Sequence, residues 1–219
     1  MTQYKLSPSS LKLLKECPRC FWLHHNKNIK RPDTIFPSLP SGMDKILKNH
    51  FDKYRKNNVI PAELIKLKDI KLFEDTDLLK IWRSNFKGIQ YTDKKGNLLR
   101  GAVDEILMKG KKLIVLDYKT RGFPLKEDTA DFYQDQLDIY NYLLRKNGYK
   151  TEDYAYLLFY VPKEVNDHGD VVFDIDLVKR KINVDNADKI FKKAIEVLEG
   201  DIPECSDECQ FCKWVENCS

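Results

Sequence analysis

Over most of its length this chain lacks cysteine: none occurs between Cys20 and Cys205. It also lacks any apolar run near the roughly 20 residues that a bilayer crossing needs, and its first residues, "MTQYKLSPSS", contain no apolar signal core. These absences argue against a membrane protein and predict a cytoplasmic one. No internal repeat and no low-complexity linker interrupts the sequence, so its 219 residues, 42% hydrophobic and 11% aromatic, suit one domain with a real core. Charge imbalance is small too. The 38 basic and 34 acidic residues leave a net charge of +4, which proves no polyanionic partner but is compatible with a local basic face.

The six cysteines sit only at the two ends. Cys17 and Cys20 lie in "KECPRCFW"; Cys205, Cys209, Cys212 and Cys218 lie in "CSDECQFCKWVENCS". In a reducing compartment disulfides are rare, so the two clusters are expected to meet around a metal. C-x2-C at 17 to 20 with C-x2-C at 209 to 212 would make an orthodox four-thiolate zinc site. That pairing leaves the x5 spacing to Cys218 unexplained. The plain alternative for Cys20 is a small core residue.

Local patterns sketch the rest. Ser7 reads as an N-cap before Pro8, with Leu11, Leu14 and Cys17 at helical spacing. A Pro-rich connector, "RPDTIFPSLPSG", precedes a second helix carrying Ile46, Leu47, His50, Phe51 and Tyr54 on one face, and "TDLLKIWRSNF" suggests a third. From Lys87 to Thr120, two turn signals between β-rich runs predict three consecutive antiparallel strands. A helix over Thr129 to Leu144, stopped by Gly148, a buried strand in "YAYLLFYVP", an edge strand in "DVVFDIDLV" and a last helix over Asp185 to Glu199 complete the order. The class is a mixed α/β sheet flanked by helices.

The hairpin "GAVDEILMKGKKLIVLDYKT" carries charge where burial is expected. Asp117 and Lys119 alternate with Tyr118 and share one strand face, and the short turn could bring Asp104 beside Asp117. Two buried carboxylates repel and need a compensating cation; Mg²⁺ prefers such oxygen ligands, often together with a phosphate. Lys119 would stabilise charge on that phosphate or help activate the attacking water. An ordinary surface Asp/Lys pair is the bland reading of D-x-K. Gln136 and Tyr140, four apart on the following helix, add an amide and a phenol on one face.

Taken together, "SPSSLKLLKECPRCFWL", "GAVDEIL", "LIVLDYKT", "QLDIY" and "CQFCKWVENC" resemble the PD-(D/E)XK nuclease superfamily, in its RecB-like branch and the iron-sulfur members that include CRISPR-associated nucleases. The resemblance spans nearly the whole chain. It implies one nuclease domain over 1–219 with a restriction-endonuclease-like core, whose segments 1–30 and 201–219 form a cysteine-bound region. It also implies Mg²⁺ or Mn²⁺ on Asp104 and Asp117 with the Tyr118 carbonyl, and His50 as the candidate helix-borne metal ligand. Lys119 would assist hydrolysis, and Gln136 with Tyr140 would form the accessory motif. A 4Fe-4S cluster on Cys17, Cys209, Cys212 and Cys218 follows from the same resemblance, leaving Cys20 and Cys205 spare; structural Zn²⁺ is the alternative. The expected activity is hydrolysis of DNA, on ends or single strands, with a helicase or CRISPR adaptation partner among the implied contexts. The competing class is a catalytically silent, zinc-stapled DNA-binding or assembly module.

Overall fold

The computed structural model describes residues 2–33 and 37–217. In chain order it runs β1 (Lys5–Leu6), α1 (Pro8–Glu16), α2 (Pro18–Lys27), α3 (Ser38–Lys56), β2 (Lys71–Leu72), α4 (Thr76–Trp82), β3 (Ile89–Thr92), β4 (Leu98–Gly101), β5 (Glu105–Lys109), β6 (Lys112–Thr120), α5 (Gln134–Lys146), β7 (Tyr154–Val165), β8 (Val171–Lys181), α6 (Val184–Glu199) and α7 (Gln210–Asn217). The mixed α/β class is as the sequence predicts. A five-stranded sheet has the order β2-β5-β6-β7-β8, with β6 and β7 parallel and the other pairs antiparallel. A three-stranded sheet, β1-β4-β3, lies apart.

The helix boundaries have local causes. The Ser7 side chain accepts from the Ser10 N–H, and the Ser10 hydroxyl accepts from the Ser7 N–H at 2.8 Å, so α1 opens on a reciprocal cap. It stops at Cys17, which has extended backbone, and Pro18 opens α2. The expected Pro-rich connector ends sooner than its composition suggests: α3 starts at Ser38 and includes Pro40. Proline costs nothing in a first turn, where the amide would lack an intrahelical partner.

The expected run of three consecutive strands is divided between the two sheets. β3 and β4 pair in the small sheet, and β5 and β6 pair in the large one. Between them the Val103 N–H donates to the Trp82 carbonyl at 3.1 Å, and Arg83 Nε donates to the Asp104 carbonyl at 2.8 Å, so α4 turns the chain from one sheet to the other. Gly101 permits the crossing, because a Cβ there would stand 2.9 Å from carbons of Tyr140 and Leu143 on α5.

The large sheet is covered on both faces, which is why β6 and β7 read as continuous apolar runs. Leu113 and Val115 join Leu137, Leu143, Phe159 and Phe191 under α5 and α6. Ile114, Leu116 and Tyr118 join Leu47, Phe51 and Leu158 under α3. The two-residue alternation of a strand therefore sends Asp117 and Lys119 to the α5 side and Tyr118 to the α3 side.

Candidate active site and thiolate group

β5 and β6 are registered with Glu105 opposite Leu116, so Asp104, one residue before β5, arrives beside Asp117. The Tyr118 N–H donates to Asp104 Oδ2 at 3.0 Å and fixes that carboxylate at the strand edge. Asp117 is buried, and the Lys119 ammonium pairs with it directly. Lys119 also donates to Gln136 Oε1 at 3.0 Å, and Gln136 Nε2 donates to the Tyr140 hydroxyl at 2.7 Å. The Tyr133 ring lies 4.5 Å from the same ammonium. Four of the expected residues thus form one chain of contacts, Asp117 to Lys119 to Gln136 to Tyr140, with Asp104 across the strand.

α3 adds two residues that the sequence reading passed over. Lys48 Nζ stands 2.7 Å from Asp44 Oδ1 and 3.2 Å from Asp104 Oδ1, so a third carboxylate and a second ammonium join the group. Their only sequence signal is a D-x3-K spacing, which describes many solvated helical ion pairs equally well.

The electrostatics follow from this crowding. Burial, then the charge of Asp117, pushes the Asp104 carboxyl above its ordinary value. Burial also raises Asp44, with the Asp104 charge adding to it against the pull of Lys48. Burial works against the charge on Lys119, yet Asp117 and Asp104 more than offset it and its pKa rises. Burial opposes Lys48 likewise, and Asp104 and Asp44 overcome that opposition. The Tyr140 phenol is pushed well up by burial and by the charges of Asp117 and Asp104, so it stays a neutral hydrogen-bonding group.

Beneath the site lies a buried ionic network. Glu105 is fully buried and accepts from Arg55 Nη2 at 2.5 Å and from Arg83 Nη2 at 2.8 Å. Asp52 pairs with both arginines, and the Tyr118 hydroxyl reaches Glu105 at 3.3 Å. Arg83 links this network to the site by holding the Asp104 carbonyl.

His50, the helix-borne metal candidate, is not brought to the carboxylates. Its Nε2 faces Glu63 Oε1 at 3.0 Å, and its ring lies against Phe51 and Tyr54. Tyr118 flanks the site through its backbone, while its ring lies tilted against Phe51 in the opposite layer.

The chain ends do meet through cysteines. The Sγ atoms of Cys17, Cys20, Cys209 and Cys212 all lie within 4.8 Å of one another. Separations are 3.9 Å for Cys17 to Cys212, 3.6 Å for Cys20 to Cys209 and 3.7 Å for Cys20 to Cys212. Cys20, spare in the set implied by the resemblance, is inside the group, because α2 begins at Pro18 and turns it back toward Cys17. Cys218 lies outside the described residues. Arg31 Nη2 reaches Cys209 Sγ at 3.6 Å and its guanidinium covers the Phe211 ring, placing a cation beside the sulfurs. Burial disfavours the Cys17 thiolate, but the backbone N–H groups of Ser206 and Cys20 more than compensate and bring the thiol down to about 6. Burial raises the Cys20 thiol. Mutually adjacent soft donors, three buried and Cys212 half-buried, with a neighbouring cation suit a metal.

Residues 45–219 match the family model of the PD-(D/E)XK nuclease superfamily. No curated protein matches the chain. Among solved structures, that of SSO0001 is similar at 15% identity, with 99% of this chain and 86% of that one covered and a TM-score of 0.48. A protein from Eubacterium rectale, named provisionally as an exonuclease, is similar at 16% identity, with 97% and 88% covered and a TM-score of 0.46.

Proposed function

Since the chain belongs to the PD-(D/E)XK nuclease superfamily, we propose that it is a metal-dependent deoxyribonuclease that hydrolyses DNA ends or single strands. One observation carries this reading: Asp104 and Asp117 converge beside an ammonium, Lys119, that is itself held by Gln136 and Tyr140. The two carboxylates offer hard oxygen donors whose repulsion a divalent cation relieves, so the donor set fits Mg²⁺ or Mn²⁺. Such an ion would supply Lewis-acid charge at a phosphoryl oxygen and a water that is nucleophilic near neutral pH. Asp44 provides a further carboxylate on the same side once Lys48 moves its ammonium to the incoming phosphate. Lys119, kept charged by its neighbours, faces the developing negative charge of the phosphorane-like transition state. Gln136 and Tyr140 aim that lysine and hold no charge themselves.

The spacing of the thiolates supports a single structural ion in place of a cluster. Four thiolates around one tetrahedral zinc, at Zn–S of about 2.3 Å, stand about 3.8 Å apart; three of the six pairs here stand 3.6 to 3.9 Å apart and all six lie within 4.8 Å. A 4Fe-4S cube gives each thiolate its own iron and spreads the sulfurs further. We therefore read Cys17, Cys20, Cys209 and Cys212 as a Zn²⁺ staple, which moves the preference away from the iron-sulfur branch. The silent binding module is disfavoured by the complete set of Asp104, Asp117 and Lys119.

The test is incubation of end-labelled single- and double-stranded DNA with Mg²⁺, Mn²⁺ or EDTA. Products in the metal lanes alone are expected. Binding without cleavage under every metal would return the protein to the silent class.

A further inference from the structure

Resting on the nuclease reading, we infer that a basic groove between α3 and α4 carries the phosphodiester backbone of the DNA strand away from the catalytic carboxylates. Two hollows, of 700 and 560 Å³, adjoin along the C-terminal half of α3 and share Lys56 and Thr76. Six cations line them, Lys53, Arg55, Lys56, Lys71, Lys80 and Arg83, against two carboxylates, Asp52 and Glu74. Glu105 and Asp77, just outside the lining, pair with the two arginines and with Lys80, so the excess left unpaired is two, Lys53 and Lys56. These two unpaired ammonium groups give the groove its attraction for polyanions.

The lining is also sorted by role. Asp52 is taken up by Arg55 and Arg83, Glu74 lies near Lys71, and Lys80 pairs with Asp77. Lys53 and Lys56 have no carboxylate partner among the described residues, which leaves both ammonium groups for an external anion. Direction comes from α3 itself. Its Asp44 and Lys48 stand at Asp104, and the helix then runs past Asn49 and Lys53 to Lys56. From Lys48 to Lys56 the rise is about 12 Å, roughly three to four axial phosphate spacings of a stacked strand at about 3.4 Å each. Arg83 ties the two places together, lining the larger hollow while its Nε holds the Asp104 carbonyl. Apart from His50, half-buried against Phe51 and Tyr54, the lining holds no aromatic for base stacking, so the groove would follow the backbone without reading sequence.

The experiment measures binding of a fluorescently labelled single-stranded oligonucleotide in EDTA, across a salt series, together with steady-state cleavage in Mn²⁺. The variants are Lys53→Gln/Lys56→Gln and, with the same loss of charge on the other side of the sheet, Lys189→Gln/Lys193→Gln on α6. Melting curves check that both fold. The groove variant should bind severalfold more weakly at low salt, and its plot of log affinity against log salt should be shallower by about 1.4, or about 0.7 per lost phosphate contact. Its cleavage defect should fall on KM more than on kcat. The α6 variant should match the unmodified protein. An unchanged slope in the groove variant, an equal change in the α6 variant, or no oligonucleotide binding at all would overturn the inference. Binding that depends on Lys53 and Lys56 without any cleavage would instead remove the nuclease reading and leave the groove standing.

Discussion

Asp104, Asp117 and Lys119 could be found in the sequence because strand alternation and a short turn already place them together. His50 could not be sorted the same way. Periodicity correctly put it on a helix with Leu47, Phe51 and Tyr54, but it lies two residues from Lys48, about 200° around the axis, and so faces Glu63 while Asp44 and Lys48 face the site. No spacing rule says which of two helical faces meets a sheet edge. We expect Asp104→Asn, Asp117→Asn and Lys119→Ala each to lower kcat by at least about a hundredfold, the scale of losing one charge-stabilising group, with little change in oligonucleotide affinity. Steady-state kinetics beside binding in EDTA would check this. Gln136→Ala should cost less, because the amide only orients the lysine. His25 gives a pH prediction away from the site. Burial, aided by the nearby His24, lowers its pKa from 6.5 to about 4. The folded state then binds fewer protons than the unfolded one between those values, so stability is complete above pH 6.5 and falls as the pH drops toward 4. Melting temperature against pH should be flatter over that window in His25→Leu.

At the scale of elements, the strand content was legible and its division was not. The run "LLRGAVDEIL" looks like one strand, and only α4 decides otherwise, by binding the backbone at Val103 and Asp104. The Glu105, Arg55 and Arg83 network belongs to the same junction between α3, α4 and β5. It was illegible because each charge alone looks like a surface residue, while together they satisfy one another in the interior. Removing one partner leaves the others uncompensated. Glu105→Ala should therefore destabilise the protein by about 3–5 kcal/mol, measured by urea unfolding. Arg83→Lys keeps the charge but loses the fork that spans Glu105, Asp52 and the Asp104 carbonyl. It should lower kcat through a misplaced Asp104 while Lys119 and the thiolate group remain intact.

At the scale of the whole molecule, the cysteine-free middle of the chain lies between two end segments that meet at Cys17, Cys20, Cys209 and Cys212. Sequence spacing allowed both zinc and a cluster; the choice depends on sulfur separations, which no sequence contains. Protein purified without air should be colourless, with one zinc per chain and no acid-labile sulfide. Cys17→Ser and Cys20→Ser should lower the melting temperature equally, since metal binding contributes to folding. A brown protein that survives Cys20→Ser but not Cys17→Ser would restore the cluster reading. The site and the staple are separate, so neither result decides the chemistry at Asp104 and Asp117. That chemistry is tested most directly by titrating Mn²⁺ into one preparation of the unmodified protein and one of Asp117→Asn, following ion binding by calorimetry and cutting of an end-labelled single strand in the same samples. Binding and cutting should rise together in the unmodified protein and both be lost in Asp117→Asn; cutting that persists in Asp117→Asn, or that proceeds in EDTA, would contradict the account.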